Sequence, residues 1–258
     1  MMKKMVFAIA ALFIFSACED DTTNEKAVLS VHLTDAPANY EEVLIDIEEV
    51  RYNMSAEEEE NWHTLDNLNA GVYNLLDFTN GIDTLLVEEE IPSGTLHQIR
   101  LIIGDDNQIK VNGEYHDIQT PSAQQSGLKL NVQAPIVAGI TYEIWLDFDA
   151  GRSVVEKGNG DFLLKPVIRA YTEETSGAIA GVVEPVSAEP YVMAVMNGDT
   201  IATYADTVSG EFMLSGLESG SYDVEFEPVE DYIPQAVDNV DVVTGEVTTM
   251  DTVTLQMN

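Results

Sequence analysis

Two aspartates on one strand candidate, Asp147 and Asp149, are the nearest approach to a paired-carboxylate site in this chain. Residues two apart on a strand project from the same face, so both carboxylates share a face with Trp145. Such a pair could act as acid and base in glycoside hydrolysis, or supply hard oxygens to Ca²⁺. Arg100, Arg152, Lys165 and Arg169 lie nearby in sequence or on neighbouring strand candidates. Basic residues are scarce here, and their gathering around these acids favours a third chemistry: a partly buried ion-pair network in which at least one of them pairs with Asp147 or Asp149. The other candidates are thinner. His32, His63, His97 and His116 are scattered without ligand spacing, and no serine stands in a Gly-x-Ser-x-Gly setting. The loops from Gly104 to Asn107 and from Glu156 to Asp161 carry oxygens but lack the spacing of a calcium loop. Trp62, beside the acidic run Glu57 to Glu60, could stack on a sugar ring or pack into a core.

The elements that must position these residues read as strands. From Thr141 to Asp149, Tyr142, Ile144, Leu146 and Phe148 alternate with Glu143, Trp145, Asp147 and Asp149, the period of a strand with one buried face. Leu163 to Tyr171 reads as a following strand with Pro166 near its start. Upstream, Leu29, Val31 and Leu33 alternate in one strand, which the turn chemistry of Thr34-Asp35-Ala36-Pro37 breaks. Val43, Ile45 and Ile47 do so in the next, where Val50 and Tyr52 fall out of phase and predict a bulge near Glu48 and Glu49. Further strands are expected at 62–65, 72–78, 84–87 and 96–103, the last with Ile99, Leu101 and Ile103 inward. The run Glu88 to Glu90 reads as solvated, and Asn112-Gly113 as a tight hairpin. No segment reads as an amphipathic helix. The expected fold class is all-β, two antiparallel sandwiches in tandem.

The chain has 258 residues with 46 Asp+Glu against 11 Lys+Arg, a formal charge of -35, which repels nucleic acid and anionic head groups. Lys3 and Lys4 precede the apolar run Val6 to Phe15, too short to span a bilayer but suited to a signal-peptide core. The run ends in Phe15-Ser16-Ala17-Cys18, which resembles the lipobox of bacterial lipoproteins with phenylalanine in place of the usual leucine. That resemblance implies cleavage after residue 17 and acylation of Cys18, the one cysteine, so no disulfide or thiolate metal site remains. Residues 18–26 would form a lipidated tether. At about 0.8 kcal/mol per buried CH₂, its acyl chains make a lasting anchor. The acidic run Glu19 to Asp21 resembles a surface-export signal, which implies an outer-membrane protein facing outward; read as a plain solvated linker, it leaves the periplasmic face as the alternative.

Two family resemblances follow. LSVHLTDAPANYEEVLIDIEEVRYN, NLLDFTNG, PSGTLHQIRLII, PSAQQSGLKL and LDFDAGRSVVEKGNGDFLLKPVIR are similar to the successive motifs of domain-of-unknown-function family 4382. The match covers residues 27–172; it implies a β-sandwich and an exported location, and no activity. After the polar hinge Thr172 to Ser176 the texture changes. Residues 177–257 carry the spacing G-x-F-x-L-x-G-L-x-x-G-x-Y-x-V and resemble the carboxypeptidase-regulatory-like domain, a small prealbumin-type sandwich. In that resemblance the glycines open turns, while Phe212, Leu214, Tyr222 and Val224 fill the core. Its grouping with carbohydrate-binding-like folds is analogy alone.

The expected function is a lipid-anchored, non-catalytic envelope module that binds a glycan or an envelope protein, or acts as a scaffold. A purely structural subunit of a surface assembly is the alternative. Exposed aromatics on a concave face would favour binding; a long unpaired edge strand would favour assembly by strand addition.

Overall fold

The computed structural model describes residues 26–36, 38–56, 61–121, 127–172 and 175–258. Cys18 and the signal segment lie outside the described residues, as do Glu57 to Glu60. The first thirteen strands are β1 (Lys26–Ala36), β2 (Glu42–Asn53), β3 (Trp62–Thr64), β4 (Gly71–Asn74), β5 (Thr84–Pro92), β6 (Gly94–Ile103), β7 (Gln108–Val111), β8 (Glu114–Gln119), β9 (Leu128–Ile136), β10 (Thr141–Asp149), β11 (Val154–Glu156), β12 (Phe162–Leu164) and β13 (Ile168–Tyr171). They build a four-stranded sheet, β13-β10-β1-β5, and a larger one, β11-β12-β8-β7-β2-β6-β9, with β3 and β4 also paired to β2. One core lies between them. Leu29, Val31, Leu33, Ile144, Leu146 and Phe148 enter from the small sheet, and Val43, Ile45, Ile47, Ile99 and Leu101 from the large one. Val50 returns to the core because Ile47 pairs with Ile103 and Glu49 with Ile102, leaving Glu48 as the extra residue of a bulge.

The second unit contains β14 (Gly177–Glu184), β15 (Tyr191–Met196), β16 (Asp199–Tyr204), β17 (Glu211–Leu217), β18 (Gly220–Glu227), β19 (Gln235–Val242), β20 (Val247–Thr249) and β21 (Val253–Thr254). Its sheets are β17-β14-β20, with β21 also on β14, and β16-β15-β18-β19. Phe212, Leu214, Tyr222 and Val224 are all buried in a core of their own. At both hairpins read from the sequence, Asn112-Gly113 and Asn197-Gly198, both residues have positive φ, as a tight turn between right-twisted strands demands.

Four expectations need correction. First, the sheets are not wholly antiparallel. β1 lies parallel to β10, β12 to β8, and β14 to both β20 and β21. Side-chain alternation has the same period in either direction, so it could not distinguish them. Second, Leu163 to Tyr171 is two strands in different sheets. The chain crosses between sheets at Pro166: the Lys165 N–H donates to the Ser153 carbonyl and the Val167 N–H to the Ser153 hydroxyl. Third, Leu75–Phe78 is a 3₁₀ turn that buries Leu75, so the strand expected over 72–78 stops at Asn74. Fourth, the strand expected over 84–87 continues to Pro92, so β5 includes Glu88 to Glu90, of which Glu88 and Glu90 are exposed as expected. There Glu88 accepts from the Ser30 hydroxyl, Glu89 from the Asn67 N–H, and Glu90 pairs with Lys26.

Candidate functional site at the seam between the sandwiches

With Ile144, Leu146 and Phe148 fixed in the core, the pleat puts Trp145, Asp147 and Asp149 on the outer face of the small sheet. Register with β1 and β13 then arranges this face in rows. His32, Trp145 and Tyr171 are mutually opposite, and so are Thr34, Asp147 and Arg169. The first row is a stack of rings, with centroids 5.3 Å apart between His32 and Trp145 and 5.9 Å between Trp145 and Tyr171. His32 Nδ1 lies 2.5 Å from Asp83 Oδ2, while its Nε2 is buried without a partner.

The second row is ionic. The Arg169 guanidinium bonds Asp147 across the strands and also donates, at 3.4 Å, to the Ser215 carbonyl of β17. Asp147 is almost wholly covered, its side chain 11% exposed against 34% for Arg169. Thr34 does not join the pair. Its hydroxyl points at the carbonyls of Phe78 and Ile82, 3.0 Å from each. Asp149, one row further, caps a single helical turn, α1 (Ala150–Ser153), by accepting from the Arg152 N–H at 2.8 Å. The Arg152 guanidinium stands 3.8 Å from Asp149. Burial raises the Asp149 pKa despite the Arg152 N–H and charge. Burial likewise raises that of Tyr171, with Asp147 adding to it.

This face does not open to solvent as a ligand platform, because the second sandwich lies over it. Gly216 in β17 has φ +70, and its backbone sits against the Tyr171 ring so closely that a Cβ would come within 2.7 Å of it. Gly81 approaches Met213 in the same way. A cleft of about 310 Å³ remains at the seam, bordered by Asp83, Trp145, Tyr171, Met213, Gly216 and Glu246. Since His32 and Tyr171 cover the two faces of Trp145, only the indole edge reaches the cleft.

The other residues singled out above lie apart from the seam. Arg100 is on the large sheet, in register with Arg51 and Lys129, and its guanidinium stands 4.1 Å over the Trp62 ring. The expectation that it clusters with Asp147 is therefore corrected: adjacent strand candidates in the sequence belong to opposite sheets. Lys165 is exposed, and its N–H donates to the Ser153 carbonyl. His63 stacks on Tyr52, His116 lies against Phe162, and His97 is 3.2 Å from Gln133. Asn107 is buried and ties its loop to Asp46, Gly104 and Thr120, a structural fastening. Among the described residues no group of three or more His, Cys, Asp or Glu is placed to hold a metal ion.

Sequence reasoning missed Asp35. It ends the inward series Leu29, Val31, Leu33, is 4% exposed, accepts from the Ala150 N–H through Oδ1, and leaves Oδ2 buried without a partner. Its phase was the available signal, since a carboxylate in register with three core residues must be buried or end the strand.

No curated protein matches this chain. Solved structures that resemble it include the minor pilin of Streptococcus agalactiae, 11% identical over 89% of this chain and 96% of that one, with a TM-score of 0.26. The TIE protein of Bacillus anthracis is 11% identical over 89% and 41%, at 0.26. The shaft pilin of Lactobacillus rhamnosus GG is 9% identical over 91% and 98%, at 0.23. Scores that low carry no argument about this chain. A family model does match, over residues 26–166, under the description domain of unknown function (DUF4382). It takes in the strands that build the first sandwich up to Pro166, and with more than half of the sequence matched, the chain belongs to the DUF4382 family.

Proposed function

We propose that this protein is a non-catalytic structural module of the cell envelope, held to the outer membrane by an acylated Cys18 and displayed on its surface. Its second sandwich would be a carboxypeptidase-regulatory-like domain serving as a fixed extension of the first. One observation carries this reading: the face that concentrates the acids, bases and rings of the first sandwich serves as its joint with the second. Asp147 is neutralised by Arg169, Asp149 is engaged with Arg152, and the Trp145 faces are covered. Groups consumed in this way hold two domains at a set angle; they do not turn over a substrate or coordinate Ca²⁺.

Binding of an envelope protein fits this scaffold better than binding of a glycan. Sugar stacking needs a free ring face. Trp145 has none, and one face of Trp62 is taken by the Arg100 guanidinium. Strand addition is also discouraged at the long edges. β9 carries Pro135 and a bulge with Gln133 at φ 57, and β19 a bulge with Asn239 at φ 60. The outer edge of β5 is occupied by Asn67 and Asn69. Palmitate-analogue labelling and fractionation of wild type and Cys18→Ala test the anchor. Label and membrane association should both be lost in the variant, and retained label would contradict acylation at Cys18. A glycan array probed with the released Cys18→Ala chain should stay blank. Saturable binding abolished by Trp62→Ala would replace the scaffold with a lectin.

A further inference from the structure

Two neighbouring turns at one end of the first sandwich are uncharged in a densely acidic chain, although β2 finishes at the same end and leads into a connection that carries Glu57 to Glu60. The β5–β6 turn (residues 91–96, IPSGTL) and the β9–β10 turn (residues 134–142, APIVAGITY) contain no Asp, Glu, Lys, Arg or His. Register brings them together, with Gly94 opposite Ile136 and Thr95 opposite Pro135. The same end receives the start of β1: the Gly139 N–H donates to the Lys26 carbonyl at 2.8 Å and the Val28 N–H to the Ile140 carbonyl at 3.0 Å. The β9–β10 turn is braced by the Tyr142 hydroxyl, which accepts from the Val137 N–H at 2.9 Å. From this braced turn two branched side chains face solvent, Val137 at 54% and Ile140 at 48% exposure. The charged pair beside them, Lys26 and Glu90, is internally neutralised.

We propose that these two turns rest on the bilayer, with Val137 and Ile140 in the headgroup layer. The inference deepens the anchoring reading given above and rests on it. Three observations select a membrane as the occupant. Residues 18–25 are all that separate an acylated Cys18 from β1, and at about 3.5 Å each they reach no more than about 28 Å. The tether enters the domain at this very end. And although 46 of the residues are acidic, the two turns that meet there are uncharged. With a net charge of -35, the chain is repelled by anionic lipid, so the fitting surface is one of zwitterionic headgroups. Small apolar side chains on a fixed turn would add to the acyl anchor and hold the sandwich upright instead of leaving it to swing on its tether.

Cys18 is the one cysteine, and acylation consumes its thiol, so Val137→Cys offers a single site for an environment-sensitive dye on the full acylated protein. The reference is Val208→Cys, in the second unit and 85% exposed. Both proteins are reconstituted into phosphatidylcholine vesicles with and without nitroxide-labelled lipid. Dye at position 137 should be quenched about twofold or more, dye at 208 should be unaffected, and Ile140→Asp should weaken the quenching at 137. Equal behaviour at 137 and 208, on protein that mass spectrometry shows to be acylated, overturns the membrane contact and leaves the anchor standing. Absence of an acyl group on Cys18 overturns the anchor, and the contact with it. Val137 and Ile140 are outside the core, so neither substitution threatens folding.

Discussion

At the residue scale, Asp35 behaves unlike a carboxylate in an ion pair. Burial raises its pKa well above the ordinary value, the Ala150 N–H works in the opposite direction, and the charges of Asp147 and Asp149 add to the rise. A raised folded-state pKa makes the ionised form the unfavourable one. The contribution to stability is complete below the unfolded value of about 3.9 and is lost as pH rises through the folded value. Asp35→Asn keeps the shape and cannot ionise. It should raise the urea midpoint at pH 8 relative to wild type, with the advantage shrinking toward pH 4. An unchanged or lowered midpoint at pH 8 would mean that Asp35 ionises freely in the fold. The Asp147–Arg169 row was legible from strand phase and the scarcity of bases. Asp35 was overlooked because Asp35-Ala36-Pro37 reads as turn chemistry, whereas β1 continues to Ala36. Arg100 was misplaced for a different reason: periodicity assigns a face to a residue, but it does not assign a sheet.

At the element scale, glycines separate turns from joints. Gly113 (φ +80) has open space around its missing side chain, whereas Gly216 (φ +70) faces the Tyr171 ring. Gly113→Ala should cost about 1–2 kcal/mol, the penalty for an L-residue in the left-handed region. Gly216→Ala should cost more, because it also forces β17 away from Tyr171. Urea midpoints for the two variants check this, and equal losses would mean that the seam yields without resistance. The motif containing Gly216 was visible in the sequence, where its glycines read as turn openers. Contact with a ring more than forty residues upstream is a property of packing between units, and no local pattern encodes it. The same limit explains why β12 and β13 read as one strand. Pro166 marks a break in pairing, but the sheet that each half joins depends on partners distant in sequence, β8 for one and β10 for the other.

At the scale of the whole molecule, the central claim is that the charged face of the first sandwich is a joint, and that Asp147 and Arg169 act there as a coupled, partly buried pair. Breaking a buried pair by removing one partner costs about 3–5 kcal/mol, because the other charge is left desolvated. An exposed pair contributes under about 1 kcal/mol. Arg169 retains a third of its exposure, so its loss belongs toward the lower part of the buried range. It also holds the Ser215 carbonyl, so weakening it should loosen the second sandwich as well. The most direct measurement is a double-mutant cycle on the full chain, with Arg169→Met and Asp147→Asn made singly and together and followed by urea unfolding. Each single substitution should destabilise by about 2–4 kcal/mol and the double by clearly less than the sum, a coupling above about 1 kcal/mol. Losses under about 0.5 kcal/mol that simply add would show the pair to be surface decoration and contradict the account.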